Sequence, residues 1–234
     1  MTGAPRGGTH PLFDRSENIR TVYDQYAKLP FVIWFDMKIL GQAWFDSPCR
    51  VRAVERLDPQ PGERVLDAAC GTGFNFPLLQ ARLQGQGELV GIDLSEGSLE
   101  VAGKLAQDEG WDNVTLAPTC LPAIPQEQGI GEPYDKIISS FALGTIPDYL
   151  ETVDALVDLL KPGGTLVLLG VTLRGRGAAR LLKPLVWSYF GFGGNDFRRA
   201  DAIRERVEQR LGPVQVETDV YGGYYYILTA RKPA

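Results

Sequence analysis

From residue 64 to residue 169 the chain repeats one pattern: a short apolar run, a turn, and a longer stretch whose apolar residues fall at helical spacing. The apolar runs are Arg64-Val65-Leu66-Asp67, Glu88-Leu89-Val90-Gly91-Ile92-Asp93, 114–116, Asp135-Lys136-Ile137-Ile138-Ser139-Ser140 and Thr165-Leu166-Val167-Leu168-Leu169. The helical stretches cover about 77–83, 96–109 and 149–160, the last stopped by Lys161-Pro162-Gly163-Gly164. Strands alternating with helices in this way predict βαβ units, a parallel sheet and right-handed crossovers that place helices on both faces. Beyond residue 170 the pattern predicts a loop-and-helix insert at about 174–197 and a charged helix at about 199–211. Two β-rich runs, 214–220 and 224–230, then close the sheet as an antiparallel pair. The expected fold class is α/β, a doubly wound, seven-stranded, mostly parallel sheet.

Upstream of the turn Pro59-Gln60-Pro61-Gly62 the texture differs. Residues 1–15 read as a flexible tail. Ser16 precedes Ile19, Val22, Tyr23 and Tyr26 at helical spacing, and Pro30 interrupts the pattern. A segment dense in large apolar groups follows from Phe31 to Leu40, with Trp44 and Phe45 beyond it and a helix at about 48–57. The expected organisation is a tail, an N-terminal helical lid segment at 16–58, and a core at 59–234.

The chain has 234 residues, enough for one sizeable α/β domain. With 44% hydrophobic and 23% charged residues it has the balance of a globular protein. A net charge of −5 lacks the basic footprint that phosphate contacts require, so no nucleic-acid partner is expected. Cys49, Cys70 and Cys120 are far apart, and the single histidine, His10, lies in the tail. That spacing predicts no metal site and no disulfide framework, and the default compartment is cytoplasmic. Cys70, without a nearby histidine, reads as a small buried residue rather than a nucleophile.

The candidate chemistry sits where the first two apolar runs end. In a doubly wound sheet, ligands bind outside the carboxyl ends of the strands. Asp67 ends the first strand, and Gly71 and Gly73 give the backbone freedom to turn sharply into a helix. Asp93 ends the second strand, where an acid can accept both hydroxyls of a ribose. The turn departs from a dinucleotide fingerprint, with Ala69 where a glycine is usual. A carboxylate at its first position disfavours a pyrophosphate and favours a sulfonium-bearing amino acid.

Val65 to Gly73 resembles the first motif of class I methyltransferases, in particular the branch that includes the ubiquinone/menaquinone-biosynthesis and phospholipid N-methyltransferases. Gly91-Ile92-Asp93-Leu94-Ser95 resembles the family's second motif, 134–143 its fourth-strand motif, and 160–166 the turn before its fifth strand. The order and spacing match over about residues 20–170. The resemblance implies a Rossmann-like methyltransferase fold and S-adenosyl-L-methionine as cofactor. It implies that Asp67, Ala69, Gly71, Gly73 and Ser140 surround the methionine end, that Asp93 holds the ribose, and that Leu94 packs on adenine. Cys120 falls where relatives carry an acid for the adenine amino group, which leaves the Leu121 backbone to recognise it. Gly144 falls where relatives often carry histidine. The N-terminal segment Tyr23-Asp24-Gln25-Tyr26-Ala27 resembles one that closes over the cofactor through a tyrosine, nominating Tyr26 there and Tyr23 for the acceptor, alongside Phe141, Gly144 and Tyr224.

The acceptor stays open at this stage. A sulfonium is a strong leaving group, so the protein mainly aligns donor and acceptor. The lack of a core histidine tilts the expectation towards N-methylation of a small molecule or lipid headgroup. C- or O-methylation of an aromatic or quinone-like molecule is the alternative, and a non-catalytic adenosylmethionine-binding protein a third reading. The apolar segment at 31–45 and the basic-then-aromatic stretch at 174–190 are read as pocket lining or core cover, with peripheral membrane contact as the competing reading. No run approaches the roughly 18 apolar residues of a membrane span. The tyrosines at 221 and 224–226 read as ordinary sheet packing, half of them buried.

Overall fold

The computed structural model describes residues 20–21, 24–25, 47–125, 129–172, 174–175, 177–182, 184, 196–218 and 223–234. The tail, Tyr23, Tyr26, the apolar segment at 31–45 and Tyr221 lie outside them.

Seven strands form one sheet: β1 Arg64–Ala68, β2 Glu88–Asp93, β3 Val114–Pro118, β4 Tyr134–Ser140, β5 Leu160–Val171, β6 Gln215–Glu217 and β7 Tyr225–Arg231. Their order is β3-β2-β1-β4-β5-β7-β6. The first five are parallel, β7 is antiparallel to β5, and β6 is antiparallel to β7. This is the expected doubly wound sheet with its closing pair.

Successive residues of a strand point to opposite faces, and here both faces are covered. Leu66, Ile137, Leu166 and Leu228 enter one core layer, beneath α4 Tyr149–Asp158 and α5 Arg199–Leu211. Val65, Ile138, Val167 and Ile227 enter the other, beneath α1 Ser47–Leu57, α2 Phe76–Leu83 and α3 Glu96–Asp108. The charged residues of α5 pair with α4, Arg206 and Arg210 reaching Asp154 at 3.1 and 2.7 Å.

Three expectations change. The fifth strand is longer, 160–171 instead of 165–169, because β4 and β5 already pair at Tyr134 and Leu160, ahead of an irregularity that absorbs the Pro-Gly-Gly turn. β6 is shorter, three residues instead of seven. Tyr224, Tyr225 and Tyr226 are all buried, at 3, 1 and 6% exposure, not alternately so. β7 lies inside the sheet between β5 and β6, so both of its faces meet packed layers. Part of the insert is a 3-10 helix, Gly177–Leu182. Among the described residues no helix is long and apolar enough to cross a membrane.

Candidate active site

Parallel register brings the two acids to one edge. Asp67 pairs with Gly91 on β2 and with Ile138 on β4, and Asp93 pairs with Pro118 on β3. The carboxyl ends of β1, β2 and β4 therefore converge at the point where strand order reverses, the usual ligand crevice of such sheets.

The turn after β1 is held in strained backbone. Ala69 has φ 58° and Phe141, just after β4, has φ 62°, a left-handed region that non-glycine residues seldom adopt. Gly71, at φ 56°, faces open space where a side chain would begin, so a ligand can approach its backbone closely. Cys70 donates its N–H to Ile92 O at 3.0 Å, and burial beside the two acids pushes its thiol pKa up, consistent with an inert packing role.

Asp93 is tied at both oxygens. Gly71 N donates to Oδ2 at 2.8 Å and Ser95 N to Oδ1 at 2.9 Å. Burial raises the pKa of Asp93, partly offset by those backbone donors. Leu94 follows, half-buried. Thr119 N donates to Asp93 O at 2.7 Å, which fixes the loop carrying Cys120, exposed, and Leu121, half-buried.

Asp67 is fully buried and held by a residue that the sequence reading did not single out. Asn75 Nδ2 donates to both Asp67 oxygens, at 3.0 and 3.1 Å, and lies 3.2 Å from Ser140 Oγ. Arg50 Nη1 donates to Asn75 Oδ1 at 2.9 Å, and its guanidinium lies over the rings of Phe74 and Phe141, 5.2 and 5.0 Å from their centroids. Burial is the leading cause that pushes the Asp67 carboxyl up to about 7, against the pull of Asn75 and Arg50. The Thr72 hydroxyl in the same turn is buried without a hydrogen-bond partner among the described residues.

Among the described residues the N-terminal segment meets the start of α3. Asp24 Oδ1 accepts from Ser95 Oγ at 2.6 Å and from Gly97 N at 3.3 Å, and Arg20 pairs with Glu96. These contacts anchor the segment on the first turn of α3, two residues beyond Asp93.

On the β5 side of Ser140 the edge continues as a small recess. Phe141, Gly144, Gly170, Asp196, Arg199 and Tyr226 are among the residues that line it. Phe141 also meets Tyr225 edge-on at 5.7 Å. Tyr224, nominated for the acceptor from the sequence, is packed in the layer below α1, and its hydroxyl lies 2.9 Å from where a Cβ on Gly175 would sit. The tyrosine at the recess is Tyr226.

These residues fit adenosylmethionine on chemistry alone. One buried and one partly buried carboxylate, Asp67 and Asp93, suit its cationic and hydroxyl-bearing parts, the open Gly71 backbone admits it, and the orphaned Thr72 hydroxyl offers a further polar contact. No His/Cys/Asp/Glu cluster that could hold a metal occurs among the described residues.

The sequence profile described as "Methyltransferase domain" matches residues 59–179, more than half of the chain. The chain belongs to this methyltransferase family. The methyltransferase is similar to the demethylmenaquinone methyltransferase of Lactococcus lactis, 26% identical over 88% of this chain and 84% of that relative. It is 30% identical to the Staphylococcus saprophyticus demethylmenaquinone methyltransferase over 71% of its own length, and spans 63% of that relative. Its fold matches the Haemonchus contortus phosphoethanolamine N-methyltransferase 2 crystallised with phosphomonomethylethanolamine and S-adenosylhomocysteine, with TM-score 0.70 and 16% identity over 92% of this chain and 60% of that one. The protein is an S-adenosylmethionine-dependent methyltransferase.

Proposed function

We propose that this methyltransferase acts on an aromatic, quinol-like small molecule, at ring carbon. The observation that carries this reading is the state of the acceptor edge. The carboxylate there, Asp196, is already engaged. Arg198 donates to it from Nε and Nη2 at 2.9 and 3.0 Å and from the backbone at 3.1 Å, and Arg199 lies 3.9 Å away. Those arginines hold the Asp196 pKa below the ordinary carboxylate range despite partial burial. Among the described residues a cationic amine would find no unspent anion at this edge, whereas a flat aromatic would meet Phe141, Leu143 and Tyr226. The likeness to two demethylmenaquinone methyltransferases supports the same class of acceptor. This turns the initial lean towards N-methylation to its alternative.

In this reading Asp93 accepts the ribose hydroxyls, Leu94 packs on adenine, and the Cys120–Leu121 loop borders the adenine edge. Asp67, Ala69, Gly71, Gly73 and Ser140 surround the methionine portion, with Tyr26 closing over it. Arg50 offers its guanidinium to the methionine carboxylate. When bound, adenosylmethionine supplies an electrophilic methyl group on a good leaving group. The chain's own part is alignment and the exclusion of water. Phe141 and Gly144 shape the face on which the acceptor ring lies, with Tyr23 and Tyr224 as further acceptor candidates. A bound adenosylmethionine would supply the methyl group for a new bond at a ring carbon, its bonding pair remaining on sulfur, and the ring proton would leave to solvent. Gly144 carries no imidazole to take that proton, which suits an electron-rich quinol whose own hydroxyl drives the attack.

Turnover with labelled adenosylmethionine across a panel of 1,4-dihydroxynaphthalene, a simple phenol and phosphoethanolamine tests the reading. Label in a C-methylated naphthalene product is the expected result. Label in the amine alone would overturn it.

A further inference from the structure

The recess beside Ser140 is small, about 10 Å³, the room that one water-sized group needs. A volume of that size suits a single substituent of an aromatic ring whose body lies outside it. Its lining includes one polar side chain with nothing to do. Tyr226 is 94% buried, since only 6% of it is exposed, and its hydroxyl has no hydrogen-bond partner among the described residues. A tyrosine hydroxyl that lines a recess without a partner can donate one hydrogen bond to a ligand there and accept another.

The backbone is shaped around that hydroxyl. Gly170, opposite Tyr226 in the β5–β7 register, leaves the space: a Cβ there would sit 2.5 Å from Tyr226 Oη. Gly144 adds no side chain on the other wall. Arg199 also lines the recess, but its guanidinium is engaged over the Tyr149 ring at 4.6 Å and by the carbonyls of Leu143 and Ile146. Asp196 is engaged by Arg198. Tyr226 is therefore the group left to meet a ligand.

We propose that this recess seats one oxygen substituent of the aromatic acceptor, and that the Tyr226 hydroxyl donates the hydrogen bond that orients it. Burial pushes the tyrosine pKa well up, so the hydroxyl keeps its proton and acts as a donor, not a base. The bond fixes which ring carbon faces Ser140 and the methyl group, and it strengthens as negative charge gathers on that oxygen during attack. Tyr226 is thus a specificity-determining residue. The inference rests on the quinol reading above.

The test compares wild type and Tyr226→Phe by calorimetry in the presence of S-adenosylhomocysteine. The probes are 1,4-dihydroxynaphthalene and 1,4-dimethylnaphthalene, which has similar shape but no oxygen. The variant should lose about five- to tenfold in affinity for the dihydroxy compound, the worth of one neutral hydrogen bond. Its affinity for the dimethyl compound and for S-adenosylhomocysteine should not change. Its melting temperature should be equal or higher, because the lost hydroxyl bonds nothing in the protein. Unchanged affinity for both naphthalenes, an equal loss for both, or a lowered melting temperature would each overturn the assignment. A wild type that binds neither naphthalene would instead overturn the aromatic reading itself, and the recess assignment with it.

Discussion

Asn75 Nδ2 bridges the two carboxylate oxygens of Asp67, at 3.0 and 3.1 Å, inside fully buried surroundings. The asparagine stands at the start of α2, yet its side chain caps no helix N–H and turns to the acid instead. A buried carboxylate without donors costs more than one that has them. Asn75→Ala should therefore destabilise the fold by about 1–3 kcal/mol and also weaken adenosylmethionine binding. Urea unfolding and calorimetry measure the two effects. A stability loss with unchanged affinity would confine Asn75 to a structural role.

Asp67 makes cofactor binding depend on pH. Its carboxyl is pushed up to about 7, foremost by burial, from an ordinary value of 3.8. The native chain then holds this proton more tightly than the unfolded chain does. With fewer protons bound in the unfolded state, stability falls as pH rises from about 4 to 7. Asp93 shifts in the same direction. Wild type should lose urea resistance across that window relative to Asp67→Asn, and a constant difference would refute the shift. A cationic ligand favours the ionised acid, so adenosylmethionine binding at pH 6.5 should release protons. Calorimetry in buffers of different ionisation enthalpy reads that release.

The strand ends were readable because they are local. Asp67, Gly71 and Asp93 lie in runs whose apolar texture and turn chemistry mark a doubly wound sheet, and register alone then brings the acids together. Asn75 left a weaker trace, an asparagine directly before Phe76-Pro77, which signals a helix start and not a bond to Asp67. Arg50 left none. It reaches the site only because α1 packs on the face shared by Val65 and Ile138. Of the four tyrosines in the run the sequence nominated Tyr224, and proposing Tyr226 required knowing which residue of β7 lies opposite Gly170.

Gly91 answers to packing and not to ligand. A Cβ there would lie 2.8 Å from Leu116 Cδ2, 2.8 Å from Phe76 Cζ and 3.0 Å from Cys70 Sγ. Leu116 belongs to β3, Phe76 to α2 and Cys70 to the turn after β1, all packed close against β2. Gly91→Ala should cost about 1–3 kcal/mol, the range for overpacking a filled core. Thermal melts check the loss. Any change in cofactor affinity should follow from stability alone and vanish well below the melting temperature.

Arg50 should discriminate between forms of the cofactor. It lies within hydrogen-bond reach of Asn75, the residue that holds Asp67, and over the Phe141 ring beside Ser140. Among groups of adenosylmethionine, the methionine carboxylate is the one a guanidinium recognises best, through paired N–H donors. Arg50→Ala should weaken adenosylmethionine binding by roughly tenfold to a hundredfold, the worth of a charged hydrogen bond. Decarboxylated adenosylmethionine, which lacks the partner, should bind the wild type and the variant alike. Arg50→Lys should recover only part of the loss, since a lysine restores charge without the planar fork. Equal losses for both forms of the cofactor would instead assign Arg50 to packing against Phe74 and Phe141.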